Sequence, residues 1–177
     1  MKTIQLKTEI PEVTLVEPDI ERDAILGVGW LEGGLGRKTL RSMGVADKDN
    51  VESTLQLEQA RVRDFIEKSD QFNWMIKYGG QVVGSVWVDL ESSEEVPAPS
   101  VHIMIGEPSV RGKGVGYASV MSVLKYIKSL DYKVVYSRHL VHNNAAKALL
   151  SSLQFEALES PYSDLDGLRW QNVHKRL

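Results

Sequence analysis

The amino-acid sequence predicts a mixed α/β fold, in which one sheet carries both parallel and antiparallel strands. Strand-like and helix-like segments follow one another along the 177 residues in the order β-α-α-β-β-β-α-β-α-β-β. A helix-like segment separates the strands predicted at 101–105 and 133–138, and such a crossover places its two strands side by side and parallel. No repeat or linker divides the chain, so we expect a single domain over 1–177, with 1–12 as a loose N-terminal extension.

The N-terminal part is predicted to contain a short strand at 13–16 and a helix over 19–30. Asp19 favours a helix start, because a carboxylate at the N-cap accepts hydrogen bonds from the unpaired N–H groups of the first turn. The segment 31–50 contains four glycines and no sustained helical period, so we expect a mobile connection there. Such a segment could serve as a lid over a site.

A second helix and three strands are predicted for the middle of the chain. Asn50 or Ser53 is expected to cap this helix, which ends near Lys68. Gly79-Gly80 separates two β-rich runs and indicates a hairpin. The predicted strands are 72–78, 81–90 and 101–105.

The C-terminal part is predicted to continue the alternation of helix and strand. A helix over 114–130 has apolar residues at helical spacing and leads into a strand at 133–138. Asn143 or Asn144 is expected to cap a shorter helix that ends at Leu153. The last two predicted strands, joined by a hairpin, are 155–158 and 168–173. The whole is a central mixed sheet of about seven strands with about four helices.

Composition and charge exclude several classes of function. Hydrophobic residues make up 42% and charged residues 25%, as in ordinary globular domains. The net charge of -3 provides no basic field for nucleic acid, and no apolar stretch approaches the roughly 20 residues that span a membrane. There is no cysteine, so disulfides and thiolate metal sites are excluded, and we expect no metal. No apolar signal segment opens the chain, so we expect a cytoplasmic protein.

The stretch RGKGVG at 111–116 lies between a predicted strand and a predicted helix. Its glycines allow a tight turn and let an anion approach backbone N–H groups without a Cβ in the way. The helix N-terminus adds unpaired N–H groups and a partial positive charge, and Arg111 and Lys113 add formal charge. The stretch is therefore a candidate diphosphate cradle, and the alternative is a tight turn with solvated basic residues.

Two nucleotide-binding motifs do not fit this stretch. A Walker loop requires Lys and then Ser or Thr after its last glycine, whereas Gly116 is followed by Tyr117. The Rossmann pattern requires a glycine where Tyr117 or Ser119 stands. The pattern that fits is R-x-x-G-x-G, entered from a strand and opening a helix.

With Arg111, Gly114 and Gly116 in these positions, the sequence resembles the GNAT (Gcn5-related N-acetyltransferase) family, whose acetyl-CoA loop reads Q/R-x-x-G-x-G/A. The segment NNAAKALLSSLQF at 143–155 is similar to the family's N-x-x-A-x-x-x-Y-x-x-x-G-F segment. The matching residues there are Asn143, Ala146 and Phe155. The resemblance covers most of the chain and implies the GNAT-like acyl-CoA N-acyltransferase fold, with acetyl-CoA as co-substrate.

The resemblance also implies roles for individual residues. Backbone groups of the strand at 101–105 are expected to pair with the pantetheine arm, as in strand addition. N–H groups from Val110 to Gly116 are expected to hold the pyrophosphate, and Asn143 to hydrogen-bond the pantetheine while capping its own helix. The positions expected to bind the cofactor are Ile103, Met104, Ile105, Val110, Arg111, Gly112, Lys113, Gly114, Val115, Gly116, Tyr117, Asn143 and Ala146.

The base that takes the amine proton is expected in or beside the same strand. HIMIGEP at 102–108 resembles the D-Q-F-I-G-E-P segment of aminoglycoside 6'-N-acetyltransferases, in which the Asp is taken as the base. His102 stands at that position, and histidine suits proton transfer near neutral pH. Its alternative is a histidine packed in the sheet. Glu107 is the second candidate base, and its alternative is a loop carboxylate that stabilises the turn at Pro108.

The family's usual proton donor is absent. Its Tyr stands seven residues after Asn143, where this chain has Leu150, which cannot donate a proton, and Gln154 replaces the usual Gly. Side chains nearby in sequence that could replace the Tyr are Ser151, Tyr136, His139 and His142. The thiolate could also leave unassisted, because a thiol pKa of about 8.5 is low enough. Leu150 leaves open a second class of function, a non-catalytic acyl-CoA-binding module.

The acceptor is expected to be the primary amine of a small molecule, aminoglycoside-like or polyamine-like. The acidic side chains of 91–95 and the pair Asp164 and Asp166 could attract such a cationic amine. Trp74 and Trp87 lie in strands, and we expect both in the core. A protein or peptide N-terminus is the alternative acceptor. Because dimers are common in the family, we also expect a homodimer.

Overall fold

The computed structural model describes residues 4–49 and 51–177. Within that part of the chain, nine strands form one mixed sheet in the order β1-β2-β3-β4-β5-β6-β9-β7, with β8 paired to β9. The strands are β1 (Leu6–Lys7), β2 (Val13–Val16), β3 (Gln71–Tyr78), β4 (Gln81–Asp89), β5 (Ser100–Ile105), β6 (Val134–Leu140), β7 (Glu156–Ala157), β8 (Tyr162–Ser163) and β9 (Arg169–Arg176). The helices are α1 (Ile20–Leu31), α2 (Gly33–Ser42), α3 (Leu55–Glu67), α4 (Val115–Ser129) and α5 (Asn144–Ser152). The predicted mixed α/β class is confirmed, and β1, β8 and α2 are additional to the predicted elements.

The crossover helix α4 joins β5 to β6, which are parallel neighbours as predicted. Their pairing is limited to Ser100 and Tyr136, where the Tyr136 N–H donates to the Pro99 carbonyl at 2.9 Å. Ser137 adds a side-chain bond from its Oγ to the Val101 carbonyl at 2.8 Å. β6 is paired with β9 over its whole length, but beyond Tyr136 it has no further pairing with β5. A gap therefore opens between the C-terminal ends of β5 and β6.

Helices cover both faces of the sheet. On one face, Tyr126 of α4 lies edge-on to Phe72 and Trp74 at ring-centroid distances of 5.4 and 5.6 Å, and α5 packs beside α4. On the opposite face, Phe65 of α3 meets Trp87 edge-on at 6.0 Å, and α1 packs beside α3. None of the helices in the described ranges is long and apolar enough to cross a membrane.

The prediction of a loose extension at 1–12 is wrong for residues 4–12. β1 pairs antiparallel with β2, and the Ile4 carbonyl accepts a hydrogen bond from Trp74 Nε1 at 2.8 Å. The polar composition of this segment was misleading, because the backbone makes these bonds and composition does not report them. Residues 1–3 lie outside the described residues.

The connection at 31–50, expected to be mobile, contains the helix α2. Its inward stripe is formed by Gly36, Thr39 and Leu40, which are buried. Gly36 approaches Leu31 so closely that an added Cβ would lie 2.0 Å from the Leu31 carbonyl oxygen. Glycine therefore serves close packing at this position, and its presence did not signal mobility.

The helix α3 is capped by Thr54, one residue after the predicted Ser53. Thr54 Oγ1 accepts from the Leu57 N–H at 3.2 Å, which satisfies one donor of the first turn. The Ser53 hydroxyl instead donates to Glu58 Oε1 at 2.6 Å inside the protein. Asn50, the other predicted cap, lies outside the described residues.

Candidate active site

The gap between β5 and β6 opens into a cavity of about 810 Å³. The Pro99 and Val101 carbonyls face β6, so strand alternation directs the N–H and C=O of Ile103 to the same edge. At Ile103, however, β6 has already moved away, and these groups have no partner on that strand. The gap therefore offers backbone donors and acceptors to a ligand that lies between the two strands. Met104, one residue further on, directs its backbone towards β4 and reaches the cavity with its side chain.

The predicted phosphate loop forms the turn from β5 into α4. Gly112 and Gly114 have φ angles of 76° and 78°, a left-handed conformation that glycine adopts without a Cβ penalty. Gly114 is the N-cap of α4 and no side chain caps the helix there, so the N–H groups of its first turn stay open to a ligand. Every residue predicted to bind the cofactor except Lys113 lines the cavity. The loop thus presents its backbone to the cavity, as an anion cradle requires.

Arg111 makes its hydrogen bonds within the protein. Its Nε and Nη2 donate to the Ile105 carbonyl at 3.1 and 2.8 Å, and Nη2 also donates to Thr39 Oγ1 at 3.3 Å. The guanidinium therefore satisfies the last carbonyl of β5 at the gap and connects the loop to α2. Its positive charge remains beside the loop, while its donors hold the loop in place.

Asn143 is the N-cap of α5, as predicted. Its Oδ1 accepts from the Ala146 N–H at 3.1 Å, and its Nδ2 donates at 2.9 Å to the carbonyl of Ser42, the last residue of α2. α2 is thus bonded to both helix starts at the cavity, to the α4 loop through Thr39 and to α5 through Ser42. The helix that replaces the expected mobile connection is a wall of the site.

No proton donor stands at the position of the family's Tyr. Leu150 is 7% exposed and packs into the hydrophobic core at the cavity wall. Of the four sequence alternatives, only His139 lines the cavity. Its Nδ1 lies 2.9 Å from the Leu140 carbonyl, which can only accept, so Nδ1 carries the hydrogen and Nε2 the lone pair. A neutral His139 therefore cannot donate a proton from Nε2.

His102 lies on the face of the sheet opposite α4 and stacks on Trp87 at a centroid distance of 5.3 Å. Its Nε2 is 3.0 Å from Asp89 Oδ2 and 3.0 Å from Ser100 Oγ. The carboxylate favours the tautomer with the hydrogen on Nε2, so Nδ1 carries the lone pair that a base requires. The His102 side chain is 22% exposed and lines the cavity.

Asp89 is a candidate functional residue that sequence reasoning missed. Burial raises its pKa, but hydrogen bonds from His102 and Gln71 outweigh burial, so the pKa of Asp89 lies below its usual value. Asp89 is therefore ionised at neutral pH and holds the His102 ring in one orientation. The available signal was an Asp two residues after Trp87 in the apolar run VWVDL, which alternation places on the same face as that Trp.

Glu107 has a structural contact in the loop. Its Oε1 accepts from the Ser109 N–H at 3.0 Å and caps the 3-10 turn over 108–110. Hydrogen bonding from Ser109 lowers the pKa of Glu107, and a carboxylate with a lowered pKa is a weaker base. Glu107 does not line the cavity, whereas His102 does.

The half of the cavity on the His102 face of the sheet is walled by α2, Trp87 and Trp170. Trp74 is fully buried as expected, whereas the expectation of a core position for Trp87 is wrong, because its ring is only partly buried and lines the cavity. Trp170 packs so closely on α2's C-terminal turn that a Cβ added at Gly44 would lie 2.2 Å from its ring.

The acidic residues expected to attract a cationic amine do not line this cavity. Asp164 accepts from Trp170 Nε1 at 2.7 Å, and Glu95 is paired with Arg138 at 2.7 Å. Among the described residues, Asp89 is the one carboxylate in the cavity wall, and it is already bonded to His102. The cavity therefore has no cluster of free carboxylates for a polycation.

The mixed sheet opens between two parallel strands, and a glycine loop and the N-terminus of a crossover helix lie at the opening. This arrangement is typical of N-acyltransferases. The family model for the acetyltransferase (GNAT) domain matches residues 37–156, which is more than half of the chain. The chain therefore belongs to the GNAT acetyltransferase family, as predicted.

Solved structures share this fold at low sequence identity. The microcin C7 self-immunity acetyltransferase MccE, solved with acetyl-CoA and AMP, has a TM-score of 0.74 and 14% identity over 94% of this chain and 93% of its own. RimL, a ribosomal L7/L12 α-N-protein acetyltransferase solved with coenzyme A, has a TM-score of 0.73 and 13% identity over 98% of each chain. The aminoglycoside acetyltransferase AAC(6')-Ib, solved with coenzyme A, has a TM-score of 0.72 and 16% identity over 93% of this chain and 94% of its own. At such identities the likeness shows the fold alone.

A curated relative is similar over a shorter segment. An uncharacterised protein from Methanocaldococcus jannaschii is 38% identical over 74 residues, which are 42% of this chain and 15% of that protein. The match thus spans a small part of the relative's length.

Proposed function

We propose that the protein transfers an acetyl group from acetyl-CoA to the primary amine of a small molecule, by direct attack of the amine on the thioester. The observation that carries this proposal is the gap between β5 and β6. The open N-terminus of α4 lies on one face of the gap, and the His102–Asp89 pair lies on the other. The neighbours solved with coenzyme A or acetyl-CoA support the choice of donor.

In the proposed complex, the loop binds the pyrophosphate of the cofactor and the gap binds its pantetheine arm. The N–H groups of the first turn of α4 bind the pyrophosphate, with the helix dipole favouring its negative charge. The N–H and C=O of Ile103 pair with the pantetheine amides, which would lie where a strand partner is missing. The thioester then reaches the level of His102. There the gap opens to the half of the cavity on the His102 face, which would hold the acceptor.

The proposed chemistry needs one base and no separate acid. His102 Nδ1 takes a proton from the acceptor ammonium or from the attacking amine, and Asp89 stabilises the imidazolium that results. The amine nitrogen bonds to the carbonyl carbon, the C–S bond breaks, and the thiolate of CoA leaves. Because a thiol pKa is about 8.5, the thiolate is a tolerable leaving group without the Tyr that Leu150 replaces.

A small acceptor suits a site that is bordered by several elements bonded to one another. α2 lies over the half of the cavity on the His102 face and is bonded to the α4 loop and to α5. These three elements border the entrance. A protein N-terminus, the alternative acceptor, would need an open groove to pass its chain through. The homodimer expected from the family stays a prediction, which analytical ultracentrifugation would test.

The test measures CoA release across a panel of amines with a thiol reagent. Because the chain has no cysteine, every reactive thiol in the assay comes from CoA. We expect turnover of small amines and none of a peptide with a free N-terminus. For His102→Gln we expect kcat/KM to fall by about 10²–10⁴, together with loss of the acidic limb of the pH–rate profile.

Glu107→Gln is the matched control, because it alters the other candidate base and leaves the cavity wall intact. We expect a pH–rate profile like that of the wild type. An unchanged acidic limb in His102→Gln would remove His102 as the base. Saturable CoA binding with no turnover of any amine would refute the proposed transferase activity and favour a binding module.

A further inference from the structure

Arg138 is a cationic side chain in the cavity wall that the proposed chemistry does not use. Its Cζ lies 4.1 Å from the centroid of the Trp170 ring, a stacked cation–π arrangement. Nη1 is 3.2 Å from Tyr162 Oη and 2.7 Å from Glu95 Oε2. The side chain is 22% exposed, so the guanidinium is held in place before any ligand binds.

The residues that hold the Arg138 guanidinium are themselves held in place by further contacts. Trp170 is itself fixed, by a hydrogen bond from Nε1 to Asp164 Oδ2 at 2.7 Å. The contacts of Arg138 with Tyr162 and Glu95 both use Nη1, so the donors on Nε and Nη2 have no protein partner among the described residues. A planar guanidinium with one edge open is suited to a carboxylate or a phosphate.

The strand register places Arg138 opposite the proposed base. Ser100 pairs with Tyr136, and two residues further along these parallel strands come His102 and Arg138. Because side chains repeat their direction every second residue, His102 and Arg138 lie on the same face, on the two sides of the gap. The phosphate loop packs on the other face, where Gly116 meets Ile103. The cofactor pyrophosphate is therefore not a candidate ligand for Arg138.

We infer that the acceptor carries a carboxylate or a phosphate, which binds to Arg138 while the amine of the same molecule lies at His102. This inference rests on the proposed function and narrows its substrate class from amines in general to small anionic amines. It replaces the polycationic acceptor suggested by the acidic side chains of 91–95 and by Asp164 and Asp166. Glu95 allows a direct test of the inference, because among the described residues it is the one carboxylate bonded to this guanidinium, and it is 43% exposed.

The first test is binding, measured by calorimetry on the protein saturated with CoA. The probes are matched pairs that differ in the anionic group: O-phosphoethanolamine with ethanolamine, glycine with glycinamide, and glucosamine 6-phosphate with glucosamine. We expect the anionic member of at least one pair to bind more than 10-fold tighter, and Arg138→Gln to remove this preference, as expected for one lost charge-assisted hydrogen-bonded contact. Arg176→Gln, an exposed arginine on β9, is the control for net charge.

Glu95→Gln is expected to change the affinity for the anionic probes in the direction opposite to Arg138→Gln. If the site takes an anion, removing this carboxylate frees the guanidinium, and we expect the anionic probes to bind about 2- to 5-fold tighter. If the site takes a cation, the same substitution weakens binding. Thermal unfolding of each variant verifies that the fold is retained.

The second test is turnover of the same pairs by thiol release. We expect Arg138→Gln to raise KM for anionic amines about 10- to 100-fold, and to lower kcat/KM of the anionic member of each pair more than that of the neutral member. Equal or weaker binding of the anionic members in every pair, or an equal loss for both members in Arg138→Gln, would overturn the inference. Anion binding without any thiol release would uphold the Arg138 site and refute the transferase, so the two failures are distinguishable.

Discussion

Alanine substitutions at Gly114 and Gly116 are expected to change stability in opposite directions, although the two glycines are two residues apart in one loop. Gly114 has a φ of 78°, and this left-handed conformation costs a residue with a Cβ about 1–2 kcal/mol. Alanine has a smaller entropy in the unfolded chain, which offsets about 0.5–1 kcal/mol of that cost. Gly114→Ala should therefore lower the free energy of unfolding by about 1 kcal/mol.

Gly116 lies in the first turn of α4 with helical geometry. A Cβ there would meet Ile103 Cδ1 and Leu149 Cδ2, each at 3.6 Å, which is ordinary van der Waals contact. Only the entropic term remains, so Gly116→Ala should raise the free energy of unfolding by about 0.5–1 kcal/mol.

Urea unfolding and thermal unfolding of both variants measure the difference. For a chain of this length, 1 kcal/mol corresponds to about 2–4 °C in Tm, so the two Tm values should fall on opposite sides of the wild type. Gly112→Ala is the matched control, because Gly112 has a φ of 76° and an added Cβ would meet nothing within 4 Å. Its loss should equal that of Gly114→Ala. Shifts of the same sign at Gly114 and Gly116, or no loss at Gly112, would refute the reasoning from backbone conformation.

Three further substitutions test other parts of the structure. Gln154 has a φ of 64° where the family usually has Gly, so Gln154→Gly should raise the free energy of unfolding by up to about 1 kcal/mol in urea titrations, and a decrease would contradict this. Gly44→Ala combines a φ of 90° with a Cβ 2.2 Å from the Trp170 ring, so it should cost about 2–4 kcal/mol, measured by the same titration, and a cost under 1 kcal/mol would contradict the contact. Burial raises the pKa of Asp89, but its hydrogen bonds lower it below the usual value, so its contribution to stability is present above about pH 4 and is lost as pH falls through the folded pKa. The difference in unfolding free energy between wild type and Asp89→Asn should therefore shrink on acidification from about pH 6 to pH 3, and a constant difference would contradict the sign of the shift.

The glycine loop and the helix starts at the cavity could be predicted from the sequence because their signals are local. The spacing of Gly114 and Gly116, the following helix and the cap at Asn143 all lie within short windows, and the structure places each as predicted. The crossover from β5 to β6 could be predicted as well, because a helix between two strands constrains their direction.

The His102 side of the cavity could not be predicted, because it depends on register between distant strands. Asp89 meets His102 only because β4 and β5 pair with Trp87 opposite His102, and the loop between the strands does not reveal that alignment. Arg138 faces the same gap only because the β5–β6 pairing ends at Ser100 and Tyr136. α2 was missed because Gly36 fits against the backbone of Leu31, which is tertiary packing rather than local propensity.

The single parallel pair between β5 and β6 also has a consequence for the lifetime of the protein. Strands β1 to β5 and strands β6 to β9 are joined along the sheet by that pair, so the two sets can separate locally without breaking a long ladder. A cofactor arm lying in the gap would add backbone bonds to both sets. At a free concentration 100 times its Kd, such a ligand stabilises the folded state by about 2.7 kcal/mol. The supply of the proposed acetyl donor would then set not only how fast the enzyme turns over but also how well it resists proteolysis, so the protein would persist longest when its donor is abundant.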